Sequence, residues 1–110
     1  MPRTKVLLAD DHAVVAQGLA ALLGDTFELA GVVHDGRALL AALETLRPDV
    51  VVTDISMPLL NGIQATRQIM EHFPQSRVLI LSANPDPAYI EEAVICGASG
   101  YLIASWHPNH

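Results

Sequence analysis

Carboxylates follow two short apolar runs of this sequence, KVLLA and VVVT, and a serine follows a third run, VLIL. Asp10 and Asp11 come directly after the first run, Asp54 after the second and Ser82 after the third. If the runs lie side by side, three carboxylates converge, and they repel one another unless a cation sits among them. Carboxylate oxygens suit a hard divalent ion, Mg²⁺ first.

A carboxylate beside Mg²⁺ and a hydroxyl suits phosphoryl transfer. An aspartate can act as a nucleophile and form an aspartyl phosphate, while the metal neutralises phosphoryl oxygens and the hydroxyl donates to one of them. The sequence contains no GxxxxGK[ST] loop, no GxSxG turn and no Cys/His pair at metal spacing. His12, His34 and His72 fall in separate elements, so we expect surface residues without a metal role.

Five strands are predicted along the chain. The three apolar runs are short and continuous, which is typical of strands buried on both faces. Gly100–Ile103 forms a fourth run of this kind, and Glu28–Val33 a weaker fifth, because β-branched residues are mixed there with Ala and Gly. The runs are separated by segments long enough to hold a helix each.

Helical spacing of apolar residues fills the gaps between these runs. A first helix is predicted over about residues 13–23, with Gly24 as its stop and with one apolar face formed by Val15, Leu19, Leu22 and Leu23. Three further helices fill the later gaps, so the predicted order is βαβαβαβαβ.

The alternation predicts an α/β fold with a parallel sheet, right-handed crossovers and helices on both faces. Five strands make a flavodoxin-like, three-layer α/β/α sheet of order 2-1-3-4-5. Ligands of such sheets bind beyond the carboxyl ends of the strands, at the switch point between the first and third strands. Asp10, Asp11 and Asp54 are predicted to stand at that point.

Composition limits the classes of function. The 110 residues suit one domain, residues 1–110, and 51% of them are hydrophobic, enough for a core. A formal net charge of -6 with six Lys and Arg gives no electrostatic footprint for nucleic acid. The single cysteine, Cys96, cannot form an internal disulfide, and no run is long enough for a membrane span or a signal peptide. We therefore expect a cytoplasmic location.

Four motifs, in order, resemble the receiver domain of bacterial two-component response regulators, most of all the NarL/FixJ type. The match covers about residues 4–104 and rests on LADDH at 8–12, DISMPLLNG at 54–62, LSA at 81–83 and GASGYL at 97–102. Proteins of that type usually carry a LuxR-type helix-turn-helix after the receiver. The resemblance implies a signalling domain whose partner is a histidine kinase. It also implies that DNA is contacted by a domain absent from this chain, and that this chain contacts no membrane.

The resemblance implies a role for each acidic residue. Asp54 would accept the phosphoryl group from the kinase. Asp11, Asp54 and the backbone carbonyl of Ser56 would bind Mg²⁺, and Asp10 would act partly through water.

Roles in switching and in loop shape are also implied by the resemblance. Ser82 would move to hydrogen-bond the phosphoryl group, and Tyr101 would swing inward when Ser82 moves. Pro58 and Gly62 would shape the loop after the third strand.

Two departures from the receiver pattern occur after the fifth strand. Receivers place a lysine where this chain has Ala104, and loss of its ammonium would weaken the coupling of phosphorylation to conformational change. A receiver also has a fifth helix, whereas here few residues remain and Pro108 disfavours a helical start. The chain thus resembles a receiver truncated after its fifth strand, of natural or engineered origin or completed by a partner. The face of the sheet that the missing fifth helix would leave uncovered would favour self-association as a homodimer.

Two other functions stay open from the sequence. One is a phosphorylation-independent pseudo-receiver that docks partner proteins. The other is a Mg²⁺-dependent phosphatase with an aspartate nucleophile, against which stands the spacing of the carboxylates: such phosphatases have a DxD motif after the first strand, and here Asp10 and Asp11 are adjacent. A receiver that is not an enzyme is the leading interpretation.

Overall fold

The structure is a computed structural model that describes residues 3–82 and 87–103, with the side chain of Ile103 left out. Strands and helices alternate in the predicted order. The elements are β1 (Lys5–Ala9), α1 (Ala13–Thr26), β2 (Glu28–Val33), α2 (Gly36–Leu46), β3 (Val50–Asp54), α3 (Gly62–His72), β4 (Arg77–Ser82), α4 (Pro87–Ile95) and β5 (Gly100–Ile103).

The five strands form one parallel sheet of order β2-β1-β3-β4-β5, which confirms the predicted flavodoxin-like fold and strand order. Ala9 pairs with Thr53 across β1 and β3, and Asp54 pairs with Leu81 across β3 and β4. The register therefore brings the carboxyl ends of the three central strands to one edge of the sheet. Asp10, which follows β1, lies at this edge as well.

The main hydrophobic core packs α2, α3 and α4 against alternate residues of the central strands. Each fully buried Leu or Ile side chain stabilises the fold by about 1.5–3 kcal/mol relative to exposure. Because these side chains come from both strands and helices, they fix the strand ends relative to one another. The residues include Leu7, Leu39, Leu43, Val51, Ile69, Val78, Ile80 and Ala93.

Helix α1 differs from its prediction in length and in its buried face. Gly24 does not end the helix, which continues to Thr26, where the Phe27 N–H donates to the Leu23 carbonyl at 2.8 Å. A glycine inside a helix costs only about 1 kcal/mol, which cooperative helix formation tolerates. The predicted face is only partly buried: Leu19 and Leu23 are half-buried, whereas Val15 is 50% and Leu22 is 70% exposed.

On the face of the sheet that α1 packs against, the solvent exposure of the strand side chains increases from β1 toward β5. Val6 and Leu8 of β1 are buried, whereas Leu102 of β5 is 54% exposed. Small Ala16, fully buried, is the residue through which α1 packs closely. This packing lies over β1 and β2, and the most exposed apolar residues of α1, Val14 and Leu22, face away from the described part of the chain.

Several predictions fall outside the described residues. They concern Ala83 of the third motif, Ala104 in place of a lysine, and the chain after β5, where a fifth helix was expected to be missing. Within residues 3–82 and 87–103, none of the helices combines the length and the apolar character that crossing a membrane requires.

The loop after β3 folds back tightly against the strand it leaves. The Gly62 N–H donates to the Ile55 carbonyl at 2.9 Å, and a Cβ at Gly62 would overlap the backbone carbonyl oxygen of Asp54. Asn61 and Gln64 then start α3 with a reciprocal capping box, in which Asn61 Oδ1 accepts from the Gln64 N–H at 2.8 Å. Only glycine permits this close approach.

The substitution Gly62→Ala should lower the free energy of unfolding by at least about 2 kcal/mol, because backbone atoms cannot move aside for the methyl group. The matched control is Gly18→Ala in α1, where a Cβ would meet nothing within 4 Å. That control should gain about 0.5–1 kcal/mol from helix propensity. Urea denaturation of both variants measures the difference, and equal stabilities would contradict the close approach at Gly62.

Candidate functional site

Three carboxylates and one imidazole meet at the carboxyl edge of the sheet. One ligand atom each from Asp10, Asp11, His12 and Asp54 lies within 4.8 Å of the others. Asp10 and Asp11 directly follow β1, and Asp54 is the last residue of β3. The structure thus brings together the three aspartates that the sequence predicted to converge.

Asp10 is buried and held at both its backbone and its side chain. Its N–H donates to the Val33 carbonyl at 3.0 Å, and its Oδ1 accepts from the His12 N–H at 2.9 Å. The second contact is an Asx turn, which fixes the carboxylate relative to the loop that leads into α1. His34 Nδ1 lies 2.9 Å from the Asp10 carbonyl oxygen. The neighbouring carboxylate, Asp11, is exposed to solvent, in contrast to the buried Asp10.

Asp54 is a carboxylate whose charge is disfavoured by its surroundings. Burial raises its pKa from the ordinary value of 3.8, and the neighbouring charge of Asp10 raises it further. The N–H groups of Ser56 and Ile55 oppose this shift, the Ser56 N–H lying 3.4 Å from Asp54 Oδ1. A cation at the cluster would relieve both the burial and the repulsion.

His12 is the site residue that the sequence did not predict. Its Nδ1 lies 3.0 Å from Asp11 Oδ1, 3.2 Å from Asp10 Oδ1 and 3.6 Å from Asp54 Oδ2. The hydrogen bond to Asp10 and the charges of Asp11 and Asp10 raise the pKa of the ring. His12 is thus an exposed surface residue, as expected, and it also lies within the carboxylate cluster. Its adjacency to Asp11, before the first helix, was the available signal.

The predicted switch residues lie on the neighbouring strands. Ser82 ends β4 and is buried, one residue beyond the Leu81 that pairs with Asp54. Tyr101 of β5 pairs with Ile80 and packs, partly buried, against the main core. Both residues thus lie near the edge that carries the carboxylates, Ser82 at the end of its strand and Tyr101 two residues before the end of β5.

The loop after β3 borders an open cleft beside the carboxylates. The Pro58 carbonyl accepts from the Leu60 N–H at 2.8 Å and from the Gly36 N–H at 3.4 Å, which ties the loop to the start of α2. The cleft has a volume of about 700 Å³. Residues from the loop, α3 and α4 line it, among them Asp11, Ser56, Pro58, Asn61, Arg67, Tyr89 and Glu92.

The donor set fits a hard divalent cation. Three carboxylates at one sheet edge, one of them buried, supply the oxygen ligands that Mg²⁺ prefers. The carboxylate of Asp54 is a group that can act as a nucleophile, and the residues after it, Ile55 and Ser56, line the open cleft. Cation binding and transfer of a group to Asp54 are the chemistry that this arrangement supports.

Known proteins resemble this chain over nearly its whole length. A family model for the response regulator receiver domain matches residues 6–110. Transcriptional regulatory protein DegU of Brevibacillus brevis is 34% identical over 103 residues, which are 92% of this chain and 44% of DegU. Chemotaxis protein CheY of Thermotoga maritima is 32% identical over 106 residues, which are 96% of this chain and 88% of CheY.

A solved structure agrees with the fold. The signal receiver domain of the response regulator NarL from Mycobacterium tuberculosis superposes with a TM-score of 0.91 at 28% identity, covering 97% of this chain and 88% of that one. The chain spans about half the length of the curated transcriptional regulators it matches, 44% of DegU for example.

Asp54→Asn should stabilise the fold in the absence of divalent cations. Because folding raises the pKa of Asp54, the folded state disfavours the charged form, and this penalty grows as the pH rises above about 3.8. At pH 7 the variant should melt a few degrees higher, the shift that about 1 kcal/mol produces in a domain of this size. The difference should vanish as the pH falls below 3.8.

Thermal melts in EDTA across this pH range measure the effect. Asp25→Asn, at an exposed position of α1, is the matched control and should leave the melting temperature nearly unchanged. A melting temperature of Asp54→Asn at or below that of the wild type at pH 7 would contradict the unfavourable environment of this carboxylate.

Proposed function

Since this chain belongs to the response regulator receiver domain family, we propose that Asp54 accepts the phosphoryl group through which a histidine kinase signals to it. The chain is a receiver domain of the two-component type. The observation that carries the assignment to Asp54 is its position. It ends the central strand β3, beside Asp10 and Asp11. The two residues that follow it, Ile55 and Ser56, line the cleft.

The proposed transfer is a substitution at phosphorus. A carboxylate oxygen of Asp54 attacks the phosphorus of the kinase's phosphohistidine, an O–P bond forms, and the P–N bond breaks. The electron pair of that bond stays on the imidazole nitrogen, which then takes up a proton. The raised pKa of Asp54 reflects a poorly solvated carboxylate. When such a carboxylate is ionised, it is a stronger nucleophile than a well-solvated one.

Receiver domains bind Mg²⁺ at an acidic pocket of this kind. We propose that Asp10, Asp11, Asp54 and the backbone carbonyl of Ser56 hold it here, with Asp10 acting partly through water. When bound, the ion neutralises negative charge on the phosphoryl oxygens. The chain's own contribution is the fixed placement of Asp10 by its Asx turn and of Asp54 by the sheet.

We propose further that Ser82 and Tyr101 respond to the phosphoryl group. Support comes from the placement of Ser82 at the same sheet edge as Asp54, where its hydroxyl can donate to a phosphoryl oxygen. Tyr101 lies between the core and the adjacent edge of the sheet, partly buried, so its ring can change position. Pro58 and Gly62 shape the loop between β3 and α3 through their backbone contacts with Gly36, Leu60 and Ile55.

The net charge of the chain and its exposed apolar residues support the partners that we propose for it. The kinase docks near the cleft, and residues 1–110 act as one receiver unit in the cytoplasm. A net charge of -6 argues against direct contact with nucleic acid, so we propose that DNA is contacted by a separate C-terminal helix-turn-helix domain. The exposed Val15, Leu22 and Leu102 favour pairing of two copies as a homodimer.

The relatives DegU and CheY are named as a transcriptional regulator and a chemotaxis protein. We propose that this chain likewise is not an enzyme: it undergoes a single transfer to Asp54 rather than turning over phosphate esters. The adjacency of Asp10 and Asp11, in place of a DxD motif, supports this choice over a phosphatase.

Incubation with acetyl phosphate and Mg²⁺ should add one phosphoryl group to the wild type and none to Asp54→Asn. The reason is that Asp54 belongs to the carboxylate cluster and directly precedes Ile55 and Ser56, which line the cleft. Intact-mass spectrometry measures the product, and Asp25→Asn serves as the control that should be modified like the wild type.

Three results would contradict the proposal in different ways. Modification of Asp54→Asn would move the acceptor to another residue. No modification of a folded, Mg²⁺-binding wild type would favour the pseudo-receiver that docks partners without phosphorylation. Continuous release of phosphate from a small ester, lost in Asp54→Asn, would favour a phosphatase.

A further inference from the structure

The imidazole of His12 occupies a ligand position relative to all three carboxylates. Its Nδ1 stands 3.0 Å from Asp11 Oδ1, 3.2 Å from Asp10 Oδ1 and 3.6 Å from Asp54 Oδ2. Neighbouring ligands of a six-coordinate ion at metal–ligand distances of about 2.1 Å are about 3.0 Å apart. The three separations therefore lie near those of donors that share one ion. A ligand role for the imidazole rests on the proposed function, in which the chain is a receiver that binds a cation.

Local structure holds His12 at this place. Its backbone N–H donates to Asp10 Oδ1 at 2.9 Å, and it stands at the N-cap of α1 without using its side chain as the cap. The ring is therefore available to the carboxylate cluster. Its side chain is 65% exposed, so rotation about its side-chain bonds meets little packing resistance when an ion enters.

Imidazole nitrogen changes which metal a carboxylate site prefers. Mg²⁺ favours carboxylate, carbonyl and water oxygens, whereas later first-row ions such as Co²⁺ and Zn²⁺ gain strongly from imidazole. We propose that His12 is an additional protein ligand, which makes this a mixed nitrogen–oxygen site that selects divalent transition-metal ions over Mg²⁺. Asp10, Asp11 and Asp54 remain its oxygen ligands.

The affinities of Co²⁺ and Mg²⁺ for the wild type and for His12→Gln test the proposal. Calorimetric titration at about pH 8, where a free imidazole is neutral, should show Co²⁺ binding weakened by about tenfold or more in the variant. Mg²⁺ binding should change by less than about threefold, since it uses oxygen ligands. The matched control is His72→Gln in α3, which should leave both affinities unchanged.

Proton NMR of the Co²⁺-loaded protein gives a direct second readout. A coordinated His12 ring should show a paramagnetically shifted, solvent-exchangeable N–H resonance, which should be absent in His12→Gln and present in His72→Gln. Circular dichroism confirms that the variants are folded. The signal is independent of phosphorylation, so it reports ligation alone.

The outcomes separate this inference from the proposed function. If Mg²⁺ binding depends on Asp11 but Co²⁺ affinity and the shifted N–H are the same in wild type and His12→Gln, the imidazole is not a ligand and the receiver site stands. If Asp11→Asn changes the affinity of neither metal, the carboxylate site itself is misplaced and both proposals fall. Selective loss of Co²⁺ binding in His12→Gln supports the mixed ligand set.

Discussion

The parallel pairing of β1 with β3 forces like charges together at one edge of the sheet. Ala9 of β1 pairs with Thr53 of β3. The pairing therefore also holds the next residues of the two strands, Asp10 and Asp54, close together. The buried core side chains on β1 and β3, such as Leu7 and Val51, stabilise this register against the repulsion between the carboxylates. The fold thus holds an electrostatically unfavourable cluster in place, and a cation at the cluster relieves it.

Much of this arrangement could be predicted from residue types and periodicity. Buried parallel strands have continuous apolar runs, and the end of each run marks the sheet edge where Asp10, Asp11 and Asp54 meet. The end of α1 could not be predicted in this way, because Gly24 lies in open space and a helix tolerates such a glycine. The solvent exposure of apolar residues on that helix depends on which elements cover the sheet. The apolar periodicity of the sequence does not determine this.

The contacts of His12 could not be predicted from periodicity, for a different reason. Periodicity places backbones, whereas the approach of His12 to three carboxylates depends on the turn after β1 and on one side-chain rotamer. The same turn that buries Asp10 brings the imidazole over the cluster, so one local structure sets both the charge to be neutralised and an additional donor. The close approach at Gly62 is comparable, since it depends on the path of the loop against Asp54.

The most direct test of this account is the position of a cation in the crystal. Crystals soaked in Mn²⁺ and measured near the manganese absorption edge should show one strong anomalous peak at coordination distance, about 2.0–2.4 Å, from carboxylate oxygens of Asp11 and Asp54. Such a peak would show that the paired strand ends form a metal site. A peak elsewhere, or none at this edge while the carboxylates keep their positions, would contradict the account.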